Sequence, residues 1–185
     1  FSKSTAESGN RTDWGKIRHS IIENVYGTGD SLTNYSRPYS MDGSGVDIII
    51  QDSGLQVDHP EFNDASGNSR VQLIDWYSAS GVSGSQSANH YGDTDGHGTH
   101  CGGTATGVHF GWAPGARVYS VKVSGLEGSG DSGGISISNC YDVIKGWHQN
   151  KPVDPVTGYK RPTIVNSSWG YSASVSLITS ISYRG

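Results

Sequence analysis

The segment Val46-Asp47-Ile48-Ile49-Ile50 is apolar at nearly every position and breaks at once into the polar stretch Gln51-Asp52-Ser53-Gly54. Successive side chains of a strand point to opposite faces, so an apolar run without alternation has to be covered on both. That requirement suits a strand of a parallel sheet with layers above and below it, and it disfavours a hairpin with one wet face. The remaining pattern agrees. Val71 to Tyr77, Arg117 to Val123 and Thr163 to Ser168 read as further strands. Trp14, Ile17, Ile21, Ile22 and Val25 recur at helical spacing behind Asp13 as N-cap, and a helix is expected again from about His97. Ile137, Cys140, Tyr141, Ile144, Trp147 and His148 mark one face of another helix, and a helix-like segment follows Ser172. Strands alternating with helices give an α/β class: three layers, a mostly parallel sheet, helices on both faces. Ser78 to Asp95 and Lys151 to Pro162 read as loops, the second one exposed.

Bulk properties narrow the function. The net charge is −4 with acids and bases dispersed, so there is no basic stripe to neutralise phosphates, and nucleic acid is not an expected partner. No run approaches the roughly 18 apolar residues of a membrane span, and Phe1 to Asn10 are too polar for a signal peptide. The 27 glycines point to tight turns and long loops, hence chemistry carried on loops over a compact scaffold. By size the 185 residues fit one domain. A first residue of Phe rather than Met marks a processed chain or a portion of a longer product, so the compartment stays open; the Asn-x-Ser/Thr triplets at Asn10, Asn34 and Asn166 fit secretion without requiring it. Cys101 and Cys140 are too few for a disulfide framework and are expected as free thiols.

In α/β sheets functional groups gather beyond the carboxyl ends of the strands, where Asp52 and Ser168-Trp169-Gly170 both emerge. Two blocks stand out there. One is the strand ending in Asp52-Ser53-Gly54 with His59-Pro60-Glu61-Phe62 behind it; the other is Asp95-Gly96-His97-Gly98-Thr99-His100-Cys101-Gly102-Gly103-Thr104. Together they resemble the Asp and His motifs of the subtilisin family, and more so the proteinase K branch, which also has Cys after the second His. The resemblance continues in Gly111-Trp112-Ala113-Pro114-Gly115-Ala116, in Val121-Lys122-Val123 followed by Gly128-Ser129-Gly130, and in Asn166-Ser167-Ser168-Trp169-Gly170. Five blocks in the family's order carry more weight than any one of them, and the order Asp, His, Ser separates this family from the other common triads.

The resemblance implies a serine endopeptidase acting on polypeptides, with Asp52 and His97 as two members of its triad. A serine hydroxyl is a poor nucleophile until a base takes its proton, and an imidazole titrates near working pH. His97 is the expected base and Asp52 the residue that orients it, while Gly54 and Gly98 let the backbone pass close beside them. Gly128, Ser129 and Gly130 on one side, and Ser168, Trp169 and Gly170 on the other, are the expected edges that clamp an extended peptide as an added strand. Trp169 stands where the family has Leu; it reads either as a bulkier pocket wall or as a core aromatic. No Gly-Thr-Ser-x-Ala segment occurs, nor the later Asn of the oxyanion hole, so residues 1–185 are expected to be the N-terminal portion of one peptidase domain whose nucleophile lies downstream.

Other readings of the same residues stay in view. His97, His100 and Cys101 can share a helical face and bind zinc with Asp93 or Asp95, although no Glu follows His97 as in the zinc-peptidase helix. Gly130-Asp131-Ser132-Gly133-Gly134 mimics the chymotrypsin-type nucleophile, but only 31 residues separate His100 from Ser132. A catalytically incomplete module of the same fold, assembled into a larger particle or a longer chain, is the alternative to an enzyme. The chemistry requires no cofactor. Structural calcium lacks support: only ten residues separate Cys101 from Trp112, too few for the bacterial calcium loop, so Glu61 reads as a solvated acid. His100 reads as a packed histidine with one hydrogen bond. Gln51 and Gly102 depart from the family's apolar residue and Ala.

Overall fold

The computed structural model describes residues 37–126 and 133–170, the strand Ser2–Ser4, and positions 16 and 19. Lys16 and His19 are helical, while the rest of the helix expected from Trp14 to Tyr26 and the segment after Ser172 lie outside the described residues. Strands β1 (Ser2–Ser4) and β2 (Arg37–Tyr39) form a small antiparallel pair. The chain then runs through β3 (Asp47–Asp52), a 3₁₀ turn at Pro60–Phe62, β4 (Val71–Gln72), α1 (Trp76–Ser80), α2 (His97–Thr106), β5 (Arg117–Lys122), α3 (Ile137–Asn150) and β6 (Thr163–Asn166).

The main sheet is parallel with strand order β4-β5-β3-β6, and β3 is the strand that the apolar run demanded, buried at every position. Its alternate residues feed two separate cores. Ile49, with Tyr119, Val121 and Val123, packs against Trp76 and Tyr77 of α1 and Cys140, Val143, Ile144 and Trp147 of α3. Ile48 and Ile50, with Val118, pack on the other side with Leu55 and Phe62, and Cys101 and Ala105 of α2 close that layer. The result is the α/β, three-layer arrangement with helices on both faces. Cys101 and Cys140 are free thiols, and the sheet stands between them. Burial pushes the Cys140 thiol up to about 11, which makes it inert.

One expectation needs correction. The apolar stretch Val71 to Tyr77 is strand only as far as Gln72, because Asp75 accepts a 2.8 Å bond from Ser78 N and starts a helical turn that Gly81 ends at φ 76°. A local cap outweighs the β preference of the apolar residues around it. Trp76 then points inward, fully buried, with its indole N–H on Ser120 O at 2.7 Å.

Lys151 to Pro162 is the expected exposed loop, and its two ends are anchored. Lys151 closes α3 through its backbone N–H on Trp147 O, and its side chain lies over the Trp147 ring and reaches Asp47 Oδ2 at 2.8 Å. Arg161 Nε meets the other oxygen at 3.0 Å. The loop thus carries two cations back to the buried acid at the start of β3, while Val156 and Tyr159 at its tip are exposed.

Candidate active site

Asp52 ends β3, the strand with neighbours on both sides, and its side chain is 1% exposed. Lys122 at the end of β5 pairs with it, while the β6 ladder stops at Ile50 and Asn166, so Asp52 opens into the crevice that parallel sheets form at their carboxyl ends. Asp52 Oδ1 accepts the N–H of Ser53 at 2.8 Å and faces His97 Nδ1 at 2.8 Å, so Nδ1 carries the proton in that bond. Asp52 Oδ2 is buried and has no partner among the described residues. The His97 side chain is half exposed, and its Nε2 edge is turned away from Asp52.

The first turn of α2 sets the position of His97. Gly96 is the N-cap at φ 89° and offers no capping side chain. Asp93 serves instead: Oδ1 accepts Gly96 N and Ser53 Oγ, each at 2.9 Å, and Oδ2 accepts Thr99 N at 2.8 Å and also bonds Thr99 Oγ1. An anion at a helix N-terminus satisfies orphan N–H groups and meets the helix dipole favourably. Ser53 Oγ in turn accepts Gly98 N at 2.9 Å, which ties the residue after Asp52 to the residue after His97. The approach is close enough to forbid side chains: a Cβ on Gly98 would lie 2.1 Å from Gly54 O, and one on Gly54 2.6 Å from Gly92 O. The network of Ser53, Asp93 and Thr99 was not read from the sequence, where Asp93 figured only as a metal ligand. The signal was an Asp three residues before a glycine N-cap.

The hydrogen bond to Asp52, and then its charge, raise the His97 pKa above the usual 6.5 against a small opposing effect of burial. A histidine raised in the folded state adds stability that is fully present below the unfolded value, near 6.5, and is lost as pH rises through the folded one. NMR titration of the His97 ring in the full-length protein is therefore expected to centre above 6.5 and to move down in Asp52→Asn. A midpoint at or below 6.5 in the parent would contradict the coupling.

Cys101 Sγ lies 3.8 and 3.9 Å from the two His97 ring nitrogens. Burial first, and then the Asp52 charge, raise its pKa, so it remains a thiol and not a nucleophile near neutral pH. Asp52, His97 and Cys101 bring one ligand atom each within 4.8 Å of one another. This is not the set expected from helical spacing, since His100 turns elsewhere. It is exposed rather than packed and lines a separate cavity of about 840 Å³ with His59, Phe110 and Trp112, which contains neither Asp52 nor His97.

Glu61 is not a solvated acid. Its Oε1 faces His109 Nδ1 at 2.6 Å, and Oε2 accepts the N–H groups of His109 and Phe110 at 3.1 and 3.2 Å. A carboxylate already surrounded by N–H donors, with the Arg70 guanidinium on its own backbone carbonyl, does not fit a calcium ligand. Gly102 is buried where a Cβ would lie 2.8 Å from Leu55 Cδ2 and 3.1 Å from Phe62 Cζ, so large neighbours fill the space of the family's Ala.

A cavity of about 300 Å³ opens beside His97, lined by Asp52, Ser53, Leu126, Ser168, Trp169 and Gly170 among others. Trp169 packs against the core that Trp76 and Trp147 share and also lines this cavity. Gly128, Ser129 and Gly130 lie outside the described residues, as does Ser132.

A match to the model of the subtilase family, Peptidase S8, runs over residues 43–183 and takes in both motif blocks, the cavity wall and all four strands of the main sheet. The chain belongs to the subtilase family. Relatives of this subtilase include a cuticle-degrading serine protease of Arthrobotrys oligospora, 33% identical over 111 residues that cover 57% of this chain and 25% of that protein. A subtilisin-like serine protease of Cochliobolus lunatus is 35% identical over 76% of this chain and 23% of its own length. Subtilisin-like protease 1 of Trichophyton rubrum is 30% identical over 92% of this chain and 28% of its own. The chain thus spans about a quarter of the length of these relatives.

Proposed function

We propose that the protein to which this chain belongs is a serine endopeptidase in which Asp52 and His97 act with a serine supplied by residues beyond position 185. The observation that carries this reading is the 2.8 Å bond between a buried carboxylate and a half-exposed imidazole in a chain of the subtilase family. His97 Nε2 takes the hydroxyl proton as the serine oxygen attacks the scissile carbonyl, and returns it to the leaving amine as the acyl-enzyme forms. Water then repeats the exchange and releases the acid. Asp52 keeps the Nδ1 proton in place and stabilises the imidazolium between the two transfers. Burial strengthens that effect, because no water competes for Oδ1.

The substrate is an extended polypeptide laid as a strand between Gly128-Ser129-Gly130 and Ser168-Trp169-Gly170, held mostly by backbone bonds. The indole of Trp169 narrows the pocket relative to Leu. The chemistry asks for no cofactor.

The test is a fluorophosphonate probe on the full-length protein. One serine in a Gly-Thr-Ser-x-Ala setting downstream of residue 185 should be labelled. An unlabelled protein, or a coding sequence without that serine, would leave a non-catalytic module of the fold. Hydrolysis that a chelator abolishes while labelling fails would instead assign Asp52, His97 and Cys101 to zinc.

A further inference from the structure

We infer that Gln51 is a positioning residue that fixes the substrate edge at a set distance from the His97 base; this rests on the peptidase reading above. Backbone pairing between β3 and β6 ends at Ile50 and Asn166, so residues 167–170 continue past the last rung of the ladder. Two side-chain tethers take over there, and both end on Gln51. Ser167 Oγ donates to Gln51 Oε1 at 2.6 Å, and Trp169 Nε1 donates to Gln51 O at 2.7 Å. Residues 167 and 169 are thereby held to β3, and Ser168, Trp169 and Gly170 border the cavity that His97 lines.

Local stability does not account for a glutamine at this place. Gln51 is 0% exposed, and its Nε2 makes no hydrogen bond to oxygen or nitrogen among the described residues, with only the Cys140 thiol interacting with the amide. A buried donor left unmade is costly, and an apolar side chain of the same length would avoid that cost. What the amide provides, and an apolar residue cannot, is the acceptor for Ser167. Gln51 also adjoins Asp52, and successive strand residues point to opposite faces. One peptide unit therefore carries the carboxylate that orients His97 on one side and the anchor of the peptide-binding edge on the other. A substrate pinned along Ser168 to Gly170 is placed relative to the base by covalent geometry plus two short bonds, and small misplacements of reacting groups cost rate steeply.

The experiment compares Gln51→Met and Ser167→Ala in the full-length enzyme, reading KM and kcat on an extended peptide substrate together with the rate of labelling by a small fluorophosphonate that does not span the edge. Loss of one neutral hydrogen bond corresponds to a rise in KM of about 3- to 10-fold. Labelling should change less than about 2-fold, since the small probe does not use the edge, and the double variant should be no worse than the poorer single one, as for partners of one contact. A KM within 2-fold of the parent in both variants overturns the inference, as does a parallel fall in kcat and labelling. If Gln51→Met does not fold, Ser167→Ala, whose residue is exposed, decides alone. A parent protein that the probe does not label fails the peptidase reading itself, which separates the two outcomes.

Discussion

Replacing His97 by Ala in the full-length protein is expected to lower kcat for peptide hydrolysis on the order of 10⁶-fold, and Asp52→Asn on the order of 10⁴-fold, the scale known for Ser-His-Asp triads. The inequality has a structural cause. His97 moves the proton itself, so without it the serine has no base. Asp52 acts through His97: it holds the Nδ1 proton at 2.8 Å and keeps Nε2 the accepting nitrogen. Asparagine can donate to Nδ1 and so favour the wrong tautomer, which costs rate without removing the base. Single-turnover kinetics with an activated ester separates these losses from changes in product release. A His97→Ala protein retaining a tenth of the parent rate would end the mechanism proposed here.

Asp47→Ala should destabilise the folded protein by about 3–5 kcal/mol, the usual cost of breaking a buried ion pair from one side. Asp47 and Lys151 side chains are 2% and 5% exposed, and Arg161 shares the same carboxylate. Removing the acid leaves an ammonium enclosed by Trp147, Thr163 and the strand start with no counter-charge. Replacing both partners, as in Asp47→Leu with Lys151→Met, should restore most of the loss, because the penalty lies in the uncompensated charge rather than in the missing contact. Denaturant melts of the three proteins read both effects. A loss under about 1 kcal/mol in Asp47→Ala would show that water reaches Lys151 in the folded state.

The layered sheet was legible from Val46 to Ile50 because burial on both faces leaves no alternation, and each apolar run read as a strand contains a strand of the sheet. The helix behind His97 was legible from its motif. What misled was short-range competition. At Val71 to Tyr77 one capping aspartate turned strand into helix, and apolar content does not register a single cap. At Glu61 an acid that reads as solvated is enclosed, since its partner His109 stands far away in the chain.

Asp52 and His97 are named by the sequence alone, because the family's motifs are runs of adjacent residues whose types and order survive without coordinates. Their setting is not. That Ser53 and Asp93 bind the two motifs to each other, that Cys101 rather than His100 stands beside the imidazole, and that Gln51 holds both Ser167 and Trp169 came only from the folded chain. Each depends on where distant strands and loops come together, and that placement is decided by packing of the two cores against the sheet, a property no local run of residues contains.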